Sequence, residues 1–242
     1  FSCMMVPLNY LDMIARRGAV SEEVHMKKLF LIGGMGAGKS TARKALTDEG
    51  LAWIDLDQVG HEVLTWDTVK DDLRGAFGDD IFDENGEVVR SALAAKAFAT
   101  PAATRKLNTI TMPRIEERYT DLIDGFEAEG KPAVVVEYSV FRNRQSSLAY
   151  GADVVMAVLA PLETRIQFAK SRPDAKDMPD RLWETQLAKH DRARASYYNY
   201  YTENRWGEAK NYDLCLNAAI GQDACAQLIV QAAKAMEAAN QE

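Results

Sequence analysis

The stretch Gly33-Gly34-Met35-Gly36-Ala37-Gly38-Lys39-Ser40-Thr41 carries the most specific chemistry in the chain, because it meets the spacing Gly-x-x-x-x-Gly-Lys-Ser directly after the apolar run LFLI. Glycines let a backbone wrap closely around phosphate oxygens with its N–H groups turned inward, and a helix opening near Lys39 adds the positive end of its dipole. On this reading Lys39 neutralises the β- and γ-phosphates of ATP and the Ser40 hydroxyl ligates Mg2+. Gly34, Met35, Gly36, Ala37, Gly38 and Thr41 would line the rest of the phosphate tail. A glycine-rich turn with an incidental lysine would match the letters without needing a strand before it and a helix after it. Both are expected here, since STARKALTDEG has helical composition. The motif names a donor and leaves the acceptor open, because the same loop serves kinases, switches and motors.

Two acids, Asp55 and Asp57, end the next apolar run, AWIDLD. In a sheet that follows the phosphate loop, a carboxylate at this place could accept a proton from a hydroxyl attacking the γ-phosphate. Asp57 could equally cap the helix that follows, and the two roles are compatible. Glu137 ends a later run, AVVVE, and either orients a water on Mg2+, touches substrate, or is held by a neighbouring Lys or Arg. Four residues after Asp57, His61 falls on the same helical face and could line a substrate cleft. Arg165, Arg172, Arg181, Arg192 and Arg194 flank a charged turn where a lid closing over the phosphoryl group would sit. Arg172 stands at the turn and is the first choice; Arg192 and Arg194, two apart on a helix, cannot both face one site.

Other patterns lead away from chemistry. Asp57-Gln58-Val59-Gly60 has the Asp-x-x-Gly spacing of a GTPase switch, but no Asn-Lys-x-Asp follows anywhere. His25, His61 and His190 form no metal pattern, and the aromatic run at 196–206 is expected to pack rather than stack on a base.

The elements that must hold these residues alternate. Strands are expected near 28–32, 51–57, 133–141, 152–159 and 212–218, with helices over 40–50, 58–65, 67–76, 91–99, 101–129, 161–171, 180–200 and 221–239. Pro113 should kink or join the long helix, Pro161 should sit at N1 of its helix, and GDDIFDENGEVV reads as a loop or small hairpin around Asn85-Gly86. The β-branched runs AVVVE and DVVMAVL suit strands covered on both faces, hence a parallel sheet. The expected fold is a three-layer α/β architecture of the P-loop NTPase kind, with a five-stranded parallel sheet and helices on both faces. The helical block at about 60–130 reads as a substrate-side insertion, about 172–194 as a lid, 26–242 as the kinase domain and 1–25 as an N-terminal extension.

Composition narrows the setting. The chain has 242 residues, 36 acids against 29 Lys and Arg, and a net charge of -7, which argues against a general nucleic-acid or membrane-surface binder. Cys3, Cys215 and Cys225 are odd in number and lack metal-ligand spacing, as suits a reduced, cytoplasmic protein. No apolar run reaches the roughly 20 residues of a membrane span, and no secretory signal is read at the start.

Several ordered segments resemble the dephospho-coenzyme A kinase family: LIGGMGAGKSTARKALTDEGLAWIDLDQVGHEVL, FGDDIFDENGEVVRSALAAKAF and RKLNTITMPRI, a similarity spread over roughly 27–175. The resemblance implies Mg2+-dependent transfer of the ATP γ-phosphate to the ribose 3'-hydroxyl of dephospho-coenzyme A. It also implies that Asp57 is the base, Arg172 the lid arginine and Glu137 the strand-end acid. Two departures fall on the acceptor side: Met112-Pro113 stands where the family has His-Pro, and EYSVFRN where it has Pro-Leu-Leu. The ending KHDRARASYYNYYTENRWGEAKNYDLCLN resembles cytidylate kinase-like proteins instead. A CMP or dCMP kinase, or a nucleotide-binding regulatory protein without kinase activity, therefore stands as the alternative.

Overall fold

Runs such as LFLIG, AVVVE and VVMAVL have no polar residue at alternate positions, so strands made from them must be covered on both faces. The computed structural model describes residues 26–139, 141, 143–172, 175, 177–202 and 204–238, without the side chains at 40, 41, 197, 200, 201, 222, 233, 234 and 236–238. The expected extension, 1–25, lies outside the described residues. The strands are β1 (Lys27–Gly33), β2 (Ala52–Asp55), β3 (Ala133–Glu137), β4 (Val154–Leu159) and β5 (Leu214–Asn217). They form one sheet in the order β2-β3-β1-β4-β5, with every pairing parallel.

The helices are α1 (Lys39–Asp48), α2 (Leu56–Val63), α3 (Asp67–Phe77), α4 (Arg90–Ala97), α5 (Pro101–Ala128), α6 (Leu162–Lys170), α7 (Asp180–Tyr201) and α8 (Gln222–Ala238). Alternation along β1 divides the core. Leu29 and Leu31 join Leu46 of α1 and Ile229 of α8 on one face. Phe30 and Ile32 join Val59 of α2 and Tyr119 and Ile123 of α5 on the other. This is the period-2 rule acting on a strand with no exposed face.

Two smaller cores lie outside the sheet. Val69, Leu73, Ile81, Leu93 and Ala97 close α3, α4 and the start of α5 on themselves, so the insertion between β2 and β3 has its own apolar centre. Ile166 and Ala169 of α6 meet Trp183 and Leu187 of α7, and Met35 of the phosphate loop packs against the same cluster.

Local expectations fare unevenly. The 79–89 segment is a short 3-10 turn followed by a bridge between Phe82 and Val88, with Gly86 in the turn, so it is a small hairpin. Pro161 is the N-cap of α6, one position before N1, and its carbonyl accepts from the Arg165 amide at 3.0 Å. Pro113 lies inside α5, which runs unbroken from the Thr100 cap to Ala128. Proline removes a single amide donor, and apolar packing along both halves of the helix outweighs that loss. Among the described residues no helix is long and apolar enough to cross a membrane.

Phe30 binds the second core together, with its ring 5.5 Å from that of Phe141 and 6.3 Å from that of Tyr138. Phe30→Ala should cost about 3–5 kcal/mol, read as a lowered urea midpoint with an unchanged denaturant slope.

Candidate active site

Parallel pairing sends the carboxyl ends of all the strands to one edge, where ligands bind in open α/β sheets. Register then decides which side chains meet there. Glu137 stands across from Leu31 on one side and Asp55 on the other. Gly33, at the end of β1, opens the phosphate loop.

The loop conformation depends on glycine at two points. Gly36 has φ 73° and Gly38, the N-cap of α1, has φ 93°, both in the left-handed region. A Cβ at Gly36 would also fall 2.6 Å from the Arg165 carbonyl oxygen. Arg165 holds the loop further: its Nε donates to the Met35 carbonyl at 2.8 Å, and its other nitrogens grip Asp191 of α7 at 2.6 and 2.9 Å. Such a two-pronged guanidinium–carboxylate pair fixes orientation as well as distance. The loop is thus seated against both α6 and α7.

Lys39 is 8% exposed, and its ammonium donates to the Gly33 carbonyl at 3.0 Å and the Gly34 carbonyl at 3.2 Å. It pairs with Glu137 Oε1 at 3.3 Å. Burial pushes the Lys39 ammonium below the usual lysine range, while the Glu137 charge opposes that shift. Burial likewise raises the Glu137 carboxyl against the pull of Lys39, and the charges of Asp55 and Asp57 add to the rise. Glu137 therefore belongs to the phosphate loop's charge balance, the reading in which a strand-end acid is held by a neighbouring lysine.

The two acids after β2 divide their tasks. Asp55 is the N-cap of α2, its carboxylate accepting from the Asp57 amide at 3.0 Å and the Gln58 amide at 3.2 Å. Helix capping, the alternative role considered for Asp57, thus falls to Asp55, because α2 begins at Leu56, two residues earlier than its apolar pattern suggests. Asp57 sits in the first turn, exposed, where the helix dipole favours a negative charge. Its Oδ2 accepts from the Ser139 hydroxyl at 2.8 Å.

Of the five arginines between 165 and 194, Arg194 reaches the carboxyl edge of the sheet. Its Nη2 donates to Ser139 Oγ at 3.2 Å and its Nη1 to the Gly33 carbonyl at 3.4 Å. Arg192 turns back to the Ala188 carbonyl. Arg172 is exposed in the turn after α6, where its carbonyl accepts from the Ala175 amide. His61 lies on the insertion side, 2.7–3.0 Å from Arg90 Nη1 at the start of α4. The backbones of Ser40 and Thr41 begin α1, and their side chains lie outside the described ones. Sequence reasoning passed over Ser139 and the Arg165–Asp191 clamp. Ser139 has the same parity as Glu137 two residues past it, which was the available signal.

The model of the dephospho-CoA kinase family (CoaE) matches residues 28–204. The chain belongs to that family. The dephospho-CoA kinase of Deinococcus radiodurans is 35% identical over 159 residues, covering 66% of this chain and 75% of that protein. That of Corynebacterium glutamicum is 36% identical over 143 residues, 59% of this chain and 72% of its own. Among solved structures, TT1252 from Thermus thermophilus aligns with a TM-score of 0.62 at 18% identity, covering 86% of this chain and 97% of that one. Dephospho-CoA kinase from Campylobacter jejuni aligns at 0.51 and 16%, with 86% and 97% covered. At these identities the structural likeness speaks for the fold alone, a parallel α/β sheet.

Gly36→Ala adds left-handed strain of about 1–2 kcal/mol to a backbone clash, so it should weaken ATP binding about tenfold or more in a fluorescence titration. Gly75→Ala in α3 is the contrast, since a Cβ there meets nothing within 4 Å. It should stabilise the fold by about 0.4–1 kcal/mol and leave ATP binding unchanged.

Proposed function

We propose that the chain transfers the γ-phosphoryl group of ATP to the ribose 3'-hydroxyl of dephospho-CoA. The observation that carries this reading is the meeting of Lys39, Asp57 and Arg194 at the carboxyl edge of the sheet, in a chain of the dephospho-CoA kinase family. Family membership favours this acceptor over a nucleoside monophosphate.

In the reaction a bond forms between the 3'-oxygen and the γ-phosphorus while the bond to the β,γ-bridging oxygen breaks and ADP leaves. The proton of the 3'-hydroxyl passes to Asp57, whose place in the first turn of α2 sets its carboxylate at the edge. Charge in a loose transition state spreads over the oxygens of the transferring group, so cations there matter more than covalent help. Lys39 supplies one, moving from the Gly33 and Gly34 carbonyls to the β- and γ-phosphates. Arg194 supplies another from the lid, with Arg172 as a second lid cation. The amides from Gly34 to Thr41 and the α1 dipole hold the phosphate tail.

Mg2+ fits this arrangement. Among the described residues no three His, Cys, Asp or Glu could hold a metal unaided. Mg2+ commonly takes only one or two protein ligands beside phosphate oxygens and waters. Ser40, as the first residue after the loop lysine, would hold it, and Asp55 and Glu137 would orient its waters; bound there it would offset charge on the phosphate oxygens of ATP. On the acceptor side we assign His61, beside Arg90, to contacts with dephospho-CoA.

Purified protein with Mg·ATP and dephospho-CoA should release ADP, and CMP in its place should not support turnover. ADP release with CMP alone would overturn the acceptor. Asp57→Asn should lower kcat by about 100- to 10,000-fold with the ATP Kd within about twofold of wild type. A near-normal kcat in that variant would remove Asp57 from the role of base.

A further inference from the structure

Ser139 lies just past the end of β3 and is 7% exposed. Its hydroxyl is hydrogen-bonded to two groups already assigned to the reaction, Asp57 and Arg194. The direction of each bond follows from chemistry: a guanidinium only donates and an ionised carboxylate only accepts. The hydroxyl therefore receives from Arg194 and gives its one proton to Asp57. Through its other terminal nitrogen, Arg194 continues to the Gly33 carbonyl, which Lys39 also contacts. One small side chain links the base on α2, the cation on α7 and the phosphate loop.

We propose that Ser139 is a positioning residue for phosphoryl transfer, holding Asp57 and Arg194 in place while keeping them apart. The proposal rests on Asp57 acting as the base. An exposed aspartate in a first helical turn samples several rotamers, and tying Oδ2 selects one. Among the described residues no hydrogen bond reaches Oδ1, the oxygen this leaves for the acceptor's proton. Separation matters as much as placement. A guanidinium closing directly on Asp57 would form a charge-assisted pair, lowering the basicity of the carboxylate and diverting the cation from the phosphoryl oxygens. A neutral hydroxyl between them hydrogen-bonds both without neutralising either. Its backbone is fixed by Tyr138 and Phe141, which flank it and pack into the core.

The test uses the full chain with Mg·ATP and dephospho-CoA. Ser139→Ala should lower kcat by about 10- to 100-fold while the KM for ATP stays within about twofold. Ser139→Thr, which keeps the hydroxyl, should recover most of the loss. In an Asp57→Asn background the Ala change should cost clearly less than it does in the wild type, because part of its effect acts through Asp57 and only the Arg194 part remains. A kcat within about twofold of wild type, or losses that simply multiply with Asp57→Asn, would overturn the proposal. Hydrogen exchange on the protein without substrates gives a readout independent of the acceptor. Ser139→Ala should speed exchange in 56–60 and 190–196 by about threefold or more, with β1 and β4 protected as in wild type. Should the wild type fail to phosphorylate dephospho-CoA, the acceptor assignment fails, and exchange still decides for Ser139: unchanged rates in both segments overturn it.

Discussion

A buried ammonium must meet oxygen, because removing a charge from water costs several kcal/mol unless other groups replace the lost solvation. Lys39 meets that need with two loop carbonyls and one carboxylate. Much of the site follows from this. For the carbonyls of Gly33 and Gly34 to turn toward Nζ, the chain must curl immediately after β1, which the left-handed conformations of Gly36 and Gly38 permit. For the carboxylate to arrive, β3 must lie beside β1 with Glu137 opposite Leu31. A slip of one residue would turn Glu137 toward the opposite face. The buried cation thus couples loop geometry to strand register.

The same coupling explains how three acids can share one edge. Like charges close together raise one another's cost of ionisation, and Asp55 and Asp57 both work against the charge on Glu137. Each carboxylate has a different compensation. Glu137 has Lys39, Asp55 has two amides at the start of α2, and Asp57 has the helix dipole and the Ser139 hydroxyl.

The parallel sheet and its layers were legible because the apolar runs around Phe30, Val135 and Met156 admit no exposed face, and their parallel pairing follows from the helices between them, whereas the strand order was not. The loop was legible because its glycines and lysine are contiguous. The division of labour between Asp55 and Asp57 was not, since it turns on whether α2 starts at 56 or 58, and cap geometry is invisible until the first amide finds its acceptor. Arg194 was hidden for another reason. Five arginines between 165 and 194 look alike as letters, and only the crossing of α6 and α7 turns Arg165 onto Met35, Arg192 back along its own helix and Arg194 toward Gly33.

The two departures from the family pattern have different physical consequences. Met112 is half-buried against the apolar cluster that includes Phe30, Ile54 and Val59, so it extends the core between α5 and the sheet. A flexible thioether suits an irregular gap of that kind, and its effect is on packing. The segment EYSVFRN does the opposite at its centre. Tyr138 and Phe141 anchor it in the same cluster, while the Ser139 hydroxyl donates to Asp57 and accepts from Arg194. One departure places an apolar side chain against the core, and the other sets a hydroxyl between Asp57 and Arg194. Changes of acceptor preference would therefore be sought first around α5, and changes of turnover first around Ser139.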